Sequence, residues 1–212
     1  MKFKDFIKIY KEAPLIDSST FSLYEEPRDL RRQVREWVKK GYLLVLKRGL
    51  YIFSEEYRKV QPSLFFVANF LFAPSYLSLE YALAFYNLIP EKVGVITSIT
   101  TKKTNIFQNC LGRFEYRSVK EELFFGFKKD IDNNQEFFIA LPEKALVDYF
   151  YLNSYLQGDF SELDSLRLQN LEILNTELLS SYKSHYNKRV RKIIDTLIRY
   201  IEQYKKEYKD LR

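Results

Sequence analysis

The stretch from Pro27 to Phe53, PRDLRRQVREWVKKGYLLVLKRGLYIF, constrains the fold more than any other part of the chain. Leu30, Val34 and Trp37, with Gly41 closing the series, recur at the spacing of one helical face and predict a stripe turned toward a core. Arg28, Arg32, Arg35 and Lys39 keep the same intervals but are offset by two residues. At about 100° per residue that offset puts them on the opposite face. Pro27 suits the first helical position, where its missing N–H costs nothing, and Gly41 suits the left-handed residue just past a helix end. The helix therefore has a dry side, a cationic side and both boundaries written in its own residues.

Two β-prone runs follow, Leu43 to Leu46 and Leu50 to Phe53, joined by Lys47-Arg48-Gly49. Glycine supplies the positive φ that a tight hairpin needs, and two cations sit at the tip. An arginine-faced helix fits the major groove of DNA, and a basic hairpin beside it reaches a flanking phosphate backbone or the minor groove. A lone cationic stripe is more often a solvated face. Helix, stop and basic hairpin in this order favour a winged helix-turn-helix instead. Upstream, Phe3, Phe6, Ile7 and Tyr10 predict a core-facing helix from about Lys2 to Glu12, ended by Pro14. Asp17-Ser18-Ser19 signals a helix start before Thr20 to Tyr24, which would be the first helix of the helix-turn-helix. Ser18, Ser19 and Thr20 either cap that helix or donate to phosphate, and capping is the preferred reading.

Charge follows the same division. Net charge is +6, with +5 in residues 1–61, −1 in 62–150 and +2 in 151–212, so the excess lies where phosphate would be met. A length of 212 residues allows one or two domains, and 46% hydrophobic residues can fill a substantial core. No apolar run approaches the roughly 20 residues that cross a bilayer, and charges interrupt the N-terminal MKFKDFIKIYKE, so neither signal peptide nor anchor is expected. A cytoplasmic protein without membrane association is the expectation. With one cysteine and one histidine there is no internal disulfide and no zinc spacing; Cys110 is best read as a turn residue and His185 as a surface residue.

The polar run Ser54 to Gln61, ended by Pro62, marks a boundary. The expected fold class is α+β: a winged helix-turn-helix over residues 1–60, a mixed α/β domain with an antiparallel sheet over 61–155, and a C-terminal helical extension over 156–212 packed on the second domain. PSLFFVANFLF is apolar nearly all round and predicts a buried helix, and SYLSLEYALAFYNLIPE predicts another, with Ser78 as a possible cap. VGVITSITT, KTNIFQ with GRFEYRSV, and LFFGFKK with EFFIA predict strands, the last two pairs as hairpins. Arg113, Glu115 and Arg117 alternate with Phe114, Tyr116 and Ser118, so one face of that strand is charged. Pro142 starts a helix whose Ala145, Leu146, Tyr149 and Phe150 pack inward. Leucine and isoleucine stripes predict helices from Ser161 to about Tyr182 and from Lys188 to the end. Lys188, Arg189, Arg191 and Lys192 are either a solvated helix start or a contact to nucleic acid or a protein partner.

Catalysis finds no support in the residues. Glu143 and Asp148 are the tempting carboxylates, but five residues separate them by roughly 140° around a helix. Glu143 suits a first helical turn and Asp148 suits pairing with Lys144 one turn back. There is no phosphate-cradling glycine loop and no Ser/His/Asp or metal constellation. No catalytic residue, metal or cofactor is expected.

The segments LKRGLYIF, PSYLSLEYALAFYNLIPE, ITSITTKKTNIFQNCLGRFEYRSV, ELFFGF and ALPEKALVDYFYL, in this order, resemble the AbiEi family, the antitoxins of type IV toxin–antitoxin systems first associated with abortive phage infection. The resemblance covers about residues 1–155; beyond Asp159 it extends only to helical character. It implies an N-terminal winged helix that binds inverted repeats in the promoter of its own operon and represses it. It also implies a following α/β domain that counters a nucleotidyltransferase-type toxin encoded beside it. Carried onto this sequence, Arg28, Arg31, Arg32, Arg35 and Lys39 face the groove, with Lys47 and Arg48 as wing contacts. The polar stretch Thr100, Thr101, Lys102 and Lys103, with Arg113, Tyr116 and Arg117, coincides with the family's most recognisable segment and is the candidate antitoxin surface; alternatively these residues decorate the exposed face of a sheet. The alternative to DNA binding is a protein-interaction module whose winged helix meets a protein partner.

Overall fold

The computed structural model describes residues 1–24 and 27–210. The chain opens with α1 (Phe3–Tyr10), β1 (Ile16–Asp17) and a 3-10 helix (Ser18–Leu23), followed by α2 (Pro27–Lys39), β2 (Leu43–Lys47) and β3 (Leu50–Phe53). The three strands form an antiparallel sheet in the order β1-β3-β2. Leu30, Val34 and Trp37 are buried, as their spacing predicts, against Phe6, Phe21 and Phe53. Phe3 adds ring contacts to Trp37 at 5.1 Å and Tyr42 at 4.7 Å. At the end of α2, Gly41 takes φ +75°. Its N–H donates to Val38 O at 3.0 Å and that of Tyr42 to Trp37 O at 2.9 Å. This pair of bonds is a Schellman stop, which satisfies two carbonyls that the helix cannot.

The helix expected at Thr20–Tyr24 is instead the tighter 3-10 turn starting at Ser18. Asp17 Oδ1 accepts from Ser19 N at 2.8 Å, Thr20 Oγ1 donates to Asp17 O at 2.7 Å, and Ser22 Oγ donates to Ser19 O at 2.9 Å. Such short-range bonds compete with the α-helical ladder and draw the turn in. Asp17 provides the cap.

The second part contains α3 (Leu64–Leu71), β4 (Ser75–Leu77), α4 (Leu79–Phe85), β5 (Val95–Thr100), β6 (Asn105–Asn109), β7 (Gly112–Ser118), β8 (Phe127–Asp132), β9 (Gln135–Ala140) and α5 (Pro142–Leu152). Its six strands are ordered β6-β7-β5-β4-β9-β8. The expected antiparallel sheet is mixed: the hairpins β6–β7 and β8–β9 are antiparallel, whereas β5–β7 and β4–β9 are parallel. Local turns dictate the first kind of pair, and parallel pairs need long crossovers that leave no local mark. Two helices also differ from expectation. Residues Ser75–Leu77, expected as helix, form the central strand β4, and α3 is not buried all round, since Leu64 and Phe70 are more than a third exposed.

The single helix expected from Ser161 to Tyr182 is broken into α6 (Phe160–Ser165), a 3-10 turn (Leu171–Ile173) and α7 (Thr176–Tyr182). Asp159 caps α6 through Glu162 N at 2.9 Å, and Asn175 caps α7 through Glu177 N at 2.9 Å. Internal caps start new helices where a stripe of leucines alone suggests continuity. The last helix, α8 (Lys188–Asp210), buries Val190, Ile193, Ile194, Leu197 and Ile201. The final two residues of the helix expected there lie outside the described residues.

One buried cluster runs through the whole second part and into the first. Leu46, Leu50 and Ile52 of the hairpin belong to the same cluster as the sheet and the C-terminal helices, so β2 and β3 present one face to each part.

Candidate nucleic-acid interface

The face of α2 opposite Leu30, Val34 and Trp37 carries Arg28, Arg31, Arg32, Arg35 and Lys39, all exposed. Two of them are engaged on the helix itself. Arg32 pairs with Asp29 at 3.2 Å and Lys39 with Glu36 at 3.0 Å. Exposed pairs of this kind contribute little to stability and yield to a phosphate. Among the described residues, Arg28, Arg31 and Arg35 have no acidic partner. The buried stripe fixes the helix and leaves its long cationic side chains in solvent, which is a geometry able to meet several phosphates or base edges at once.

At the hairpin tip the two cations part ways. Arg48 is exposed. Lys47 is half-buried, and its Nζ donates to Leu71 O at 2.6 Å, at the C-terminus of α3. Its expected role as a wing contact is corrected: the ammonium serves a carbonyl that the end of α3 leaves unsatisfied, where a cation also complements the helix dipole. Burial pushes the Lys47 pKa down, with a smaller contribution from nearby Lys102 and against the opposing effect of Asp17. The tip is fixed from the other side too, since Ser18 N donates to Gly49 O at 2.8 Å.

The candidate antitoxin residues do not form one patch. Tyr116 is fully buried and donates to Ala68 O at 2.6 Å, which corrects its placement on a surface. Burial raises its phenol pKa. Its alternation with Arg113 and Arg117 already puts it on the inner face of β7. Thr100 is likewise buried, donating to Pro74 O at 2.7 Å. Lys102 Nζ donates to Ala73 O and lies 5.3 Å from the Phe72 ring centroid. Arg113 pairs with Glu115 at 2.7 Å, and Arg117 is half-buried near Leu152 O. The parallel register sets Val95 opposite Arg113 and Thr100 opposite Ser118. At about 3.3 Å per residue, Arg113 therefore sits on the order of 16 Å along the strands from the end that carries Thr101 and Lys103.

The basic cluster at the start of α8 is largely structural. Arg189 donates to Leu156 O at 2.8 Å, Phe150 O at 3.0 Å and Tyr151 O at 3.1 Å, closing the end of α5. Arg191 Nε donates to Tyr186 O at 2.6 Å. Lys188 and Lys192 remain exposed.

The carboxylates of α5 are sealed inside. Glu143 Oε1 accepts from Asn175 N at 2.7 Å, at the start of α7. Asp148 pairs with Lys144 and accepts from Tyr76 Oη at 3.0 Å and Ser78 Oγ at 2.9 Å. Sequence reasoning anticipates the Lys144–Asp148 spacing but not its complete burial, because the tyrosine and serine that enclose it come from distant β4 and its neighbour. Cys110 is exposed in the turn between β6 and β7, and exposed His185 lies against the Phe125 ring at 4.5 Å. Among the described residues, no group of three His, Cys, Asp or Glu side chains could hold a metal ion, and no helix is long and apolar enough to cross a membrane. Compared with known proteins, the chain matches no family model and no curated protein.

Proposed function

We propose that this protein is a DNA-binding autorepressor of a toxin–antitoxin operon. In this reading residues 1–60 are a winged helix-turn-helix, with α2 as recognition helix and β2–β3 as wing, acting in the cytoplasm without catalysis or cofactor. The observation that carries it is the outward face of α2, where Arg28, Arg31 and Arg35 stand exposed, without acidic partners among the described residues, on a helix anchored by Leu30, Val34 and Trp37. The order of elements, helix, strand, short helix, helix and hairpin, with the first strand joining the hairpin, supports the winged reading.

The resemblance to AbiEi antitoxins supplies the rest of the proposal. The target is inverted repeats in the protein's own promoter, and the second part counters a nucleotidyltransferase toxin. Of the candidate antitoxin residues, half-buried Thr101 and exposed Lys103, just past the end of β5, support this part of the reading. The test is a salt-dependent anisotropy titration of the full chain against its own upstream region, with a scrambled duplex as control. Specific binding that weakens steeply with salt, and that is lost in Arg32→Ala and Arg35→Ala proteins of unchanged fold, is expected. Equal weak binding to both duplexes overturns the reading and makes a protein partner the leading one.

A further inference from the structure

A cavity of about 430 Å³ lies between α4, the segment that leads into β5, and helices α5 and α6. That volume is typical of small-molecule sites, which pair an apolar floor with a few convergent polar groups. Leu83, Ile89, Val95 and Leu166 supply the floor, and Glu80 and Tyr149 face the same space. Among the described residues, the Glu80 carboxylate has no hydrogen bond or ion pair and the Tyr149 hydroxyl has no hydrogen bond. Glu91, also in the lining, is held by Arg167. Lys92, exposed at the cavity, pairs with neither carboxylate.

With Glu91 neutralised by Arg167, Glu80 is the carboxylate of the lining that is left without a partner among the described residues. Burial first, and then Glu80, Tyr155, Glu162 and Glu91, raise the Tyr149 pKa, so its hydroxyl remains a neutral partner for hydrogen bonds. A free carboxylate over an apolar floor attracts a cation with an apolar body and repels an anion of the same shape. We propose that this cavity binds a small organic ammonium ion, with its charged end at Glu80 and Tyr149 and its apolar body on Leu83, Ile89, Val95 and Leu166. The site stands apart from the cationic face of α2 and does not depend on DNA binding.

Gly94 offers a clean block. It lines the cavity, its backbone is not left-handed, and a Cβ there meets nothing within 4 Å, so Gly94→Val adds bulk to the cavity wall without a clash at its Cβ. The experiment titrates the full chain with phenethylamine, 2-phenylethanol and 3-phenylpropionate in millimolar excess, by calorimetry and saturation-transfer NMR. Thermal unfolding of each variant checks its fold. Phenethylamine should bind saturably and about tenfold more tightly than the alcohol, as one charge-assisted contact provides, and the carboxylate should not bind. Glu80→Gln should bring the amine down to the level of the alcohol, Tyr149→Phe should weaken the amine, and Gly94→Val should abolish both. Absence of saturable amine binding, equal binding of amine and alcohol, or amine binding unchanged in Glu80→Gln and Gly94→Val overturns the proposal.

Discussion

Lys144 and Asp148 stand one turn apart on α5 and form an ion pair that solvent does not reach. Tyr76 and Ser78 close the other carboxylate oxygen, and the Lys144 ammonium lies 5.1 Å from the Phe125 ring centroid and 5.6 Å from that of Tyr76. The pair thus ties α5 to β4 at the centre of the second part.

Breaking that pair from one side leaves a charge in a medium that cannot solvate it. Lys144→Met should cost about 3–5 kcal/mol of unfolding free energy. Lys144→Met combined with Asp148→Asn should recover most of the loss, because no charge is then buried and Tyr76 and Ser78 keep an acceptor. Chemical denaturation of the three proteins, compared at equal m-value, measures this. A double variant as unstable as the single one would contradict it.

Gly158 and Gly41 both hold positive φ, at +64° and +75°, but only one is crowded. A Cβ on Gly158 would lie 2.6 Å from Ile193 Cγ2, whereas one on Gly41 meets nothing within 4 Å. Gly41→Ala should cost about 1 kcal/mol, the strain of a left-handed alanine. Gly158→Ala adds a clash with a buried residue of α8, typically another 1–3 kcal/mol. Thermal unfolding midpoints should therefore rank wild type, Gly41→Ala and Gly158→Ala in falling order.

What could be seen in the sequence was whatever has a local cause. Pro27 and Gly41 bound α2, and Asn133 and Asn134, at φ +50° and +58°, turn β8 into β9, because a few adjacent residues decide each. The misplaced elements have distant causes. Ser75–Leu77 is a strand because β5 and β9 flank it, and three residues are too few to carry a period of their own. At the candidate interface the arginines of α2 were legible by periodicity alone. Lys47 was not, since the carbonyl it serves is 24 residues away. Tyr116 shows a signal that went unused: its own alternation put it on the inner face, yet motif position placed it with the surface residues.

Several buried tyrosines should set an alkaline limit to stability. Tyr10 and Tyr182 have phenol pKa values pushed up to about 12, in both cases chiefly by burial, and burial also raises that of Tyr76. A raised folded-state pKa means that the folded protein holds the proton more tightly than the unfolded chain. Its contribution is fully present below the unfolded value near 10 and is lost as pH rises toward 12. Stability should therefore fall between about pH 10 and 12, and phenolate absorbance should rise in step with loss of Trp37 fluorescence signal. Ionisation of these tyrosines without unfolding would contradict it.

The two cations at the hairpin tip should separate structural from binding roles. Lys47 donates to Leu71 O and is half-buried, whereas Arg48 is exposed on the adjacent position. Lys47→Ala leaves the end of α3 with an unsatisfied carbonyl and should lower stability by about 1–2 kcal/mol, with little change in the salt dependence of DNA binding. Arg48→Ala should leave stability within about 0.5 kcal/mol, as surface substitutions do. If Arg48 meets a phosphate, the same change lowers the slope of log affinity against log salt by about one and weakens specific and scrambled duplexes alike. Arg35→Ala, on the exposed cationic face of α2, should differ from both by losing preference for the specific duplex, since loss of a base contact costs about 1–3 kcal/mol at one position of the site. Anisotropy titrations at several salt concentrations, run beside thermal unfolding of the same three variants, distinguish these outcomes. An Arg48→Ala protein with an unchanged salt slope would remove the hairpin tip from the interface and leave α2 as its cationic element.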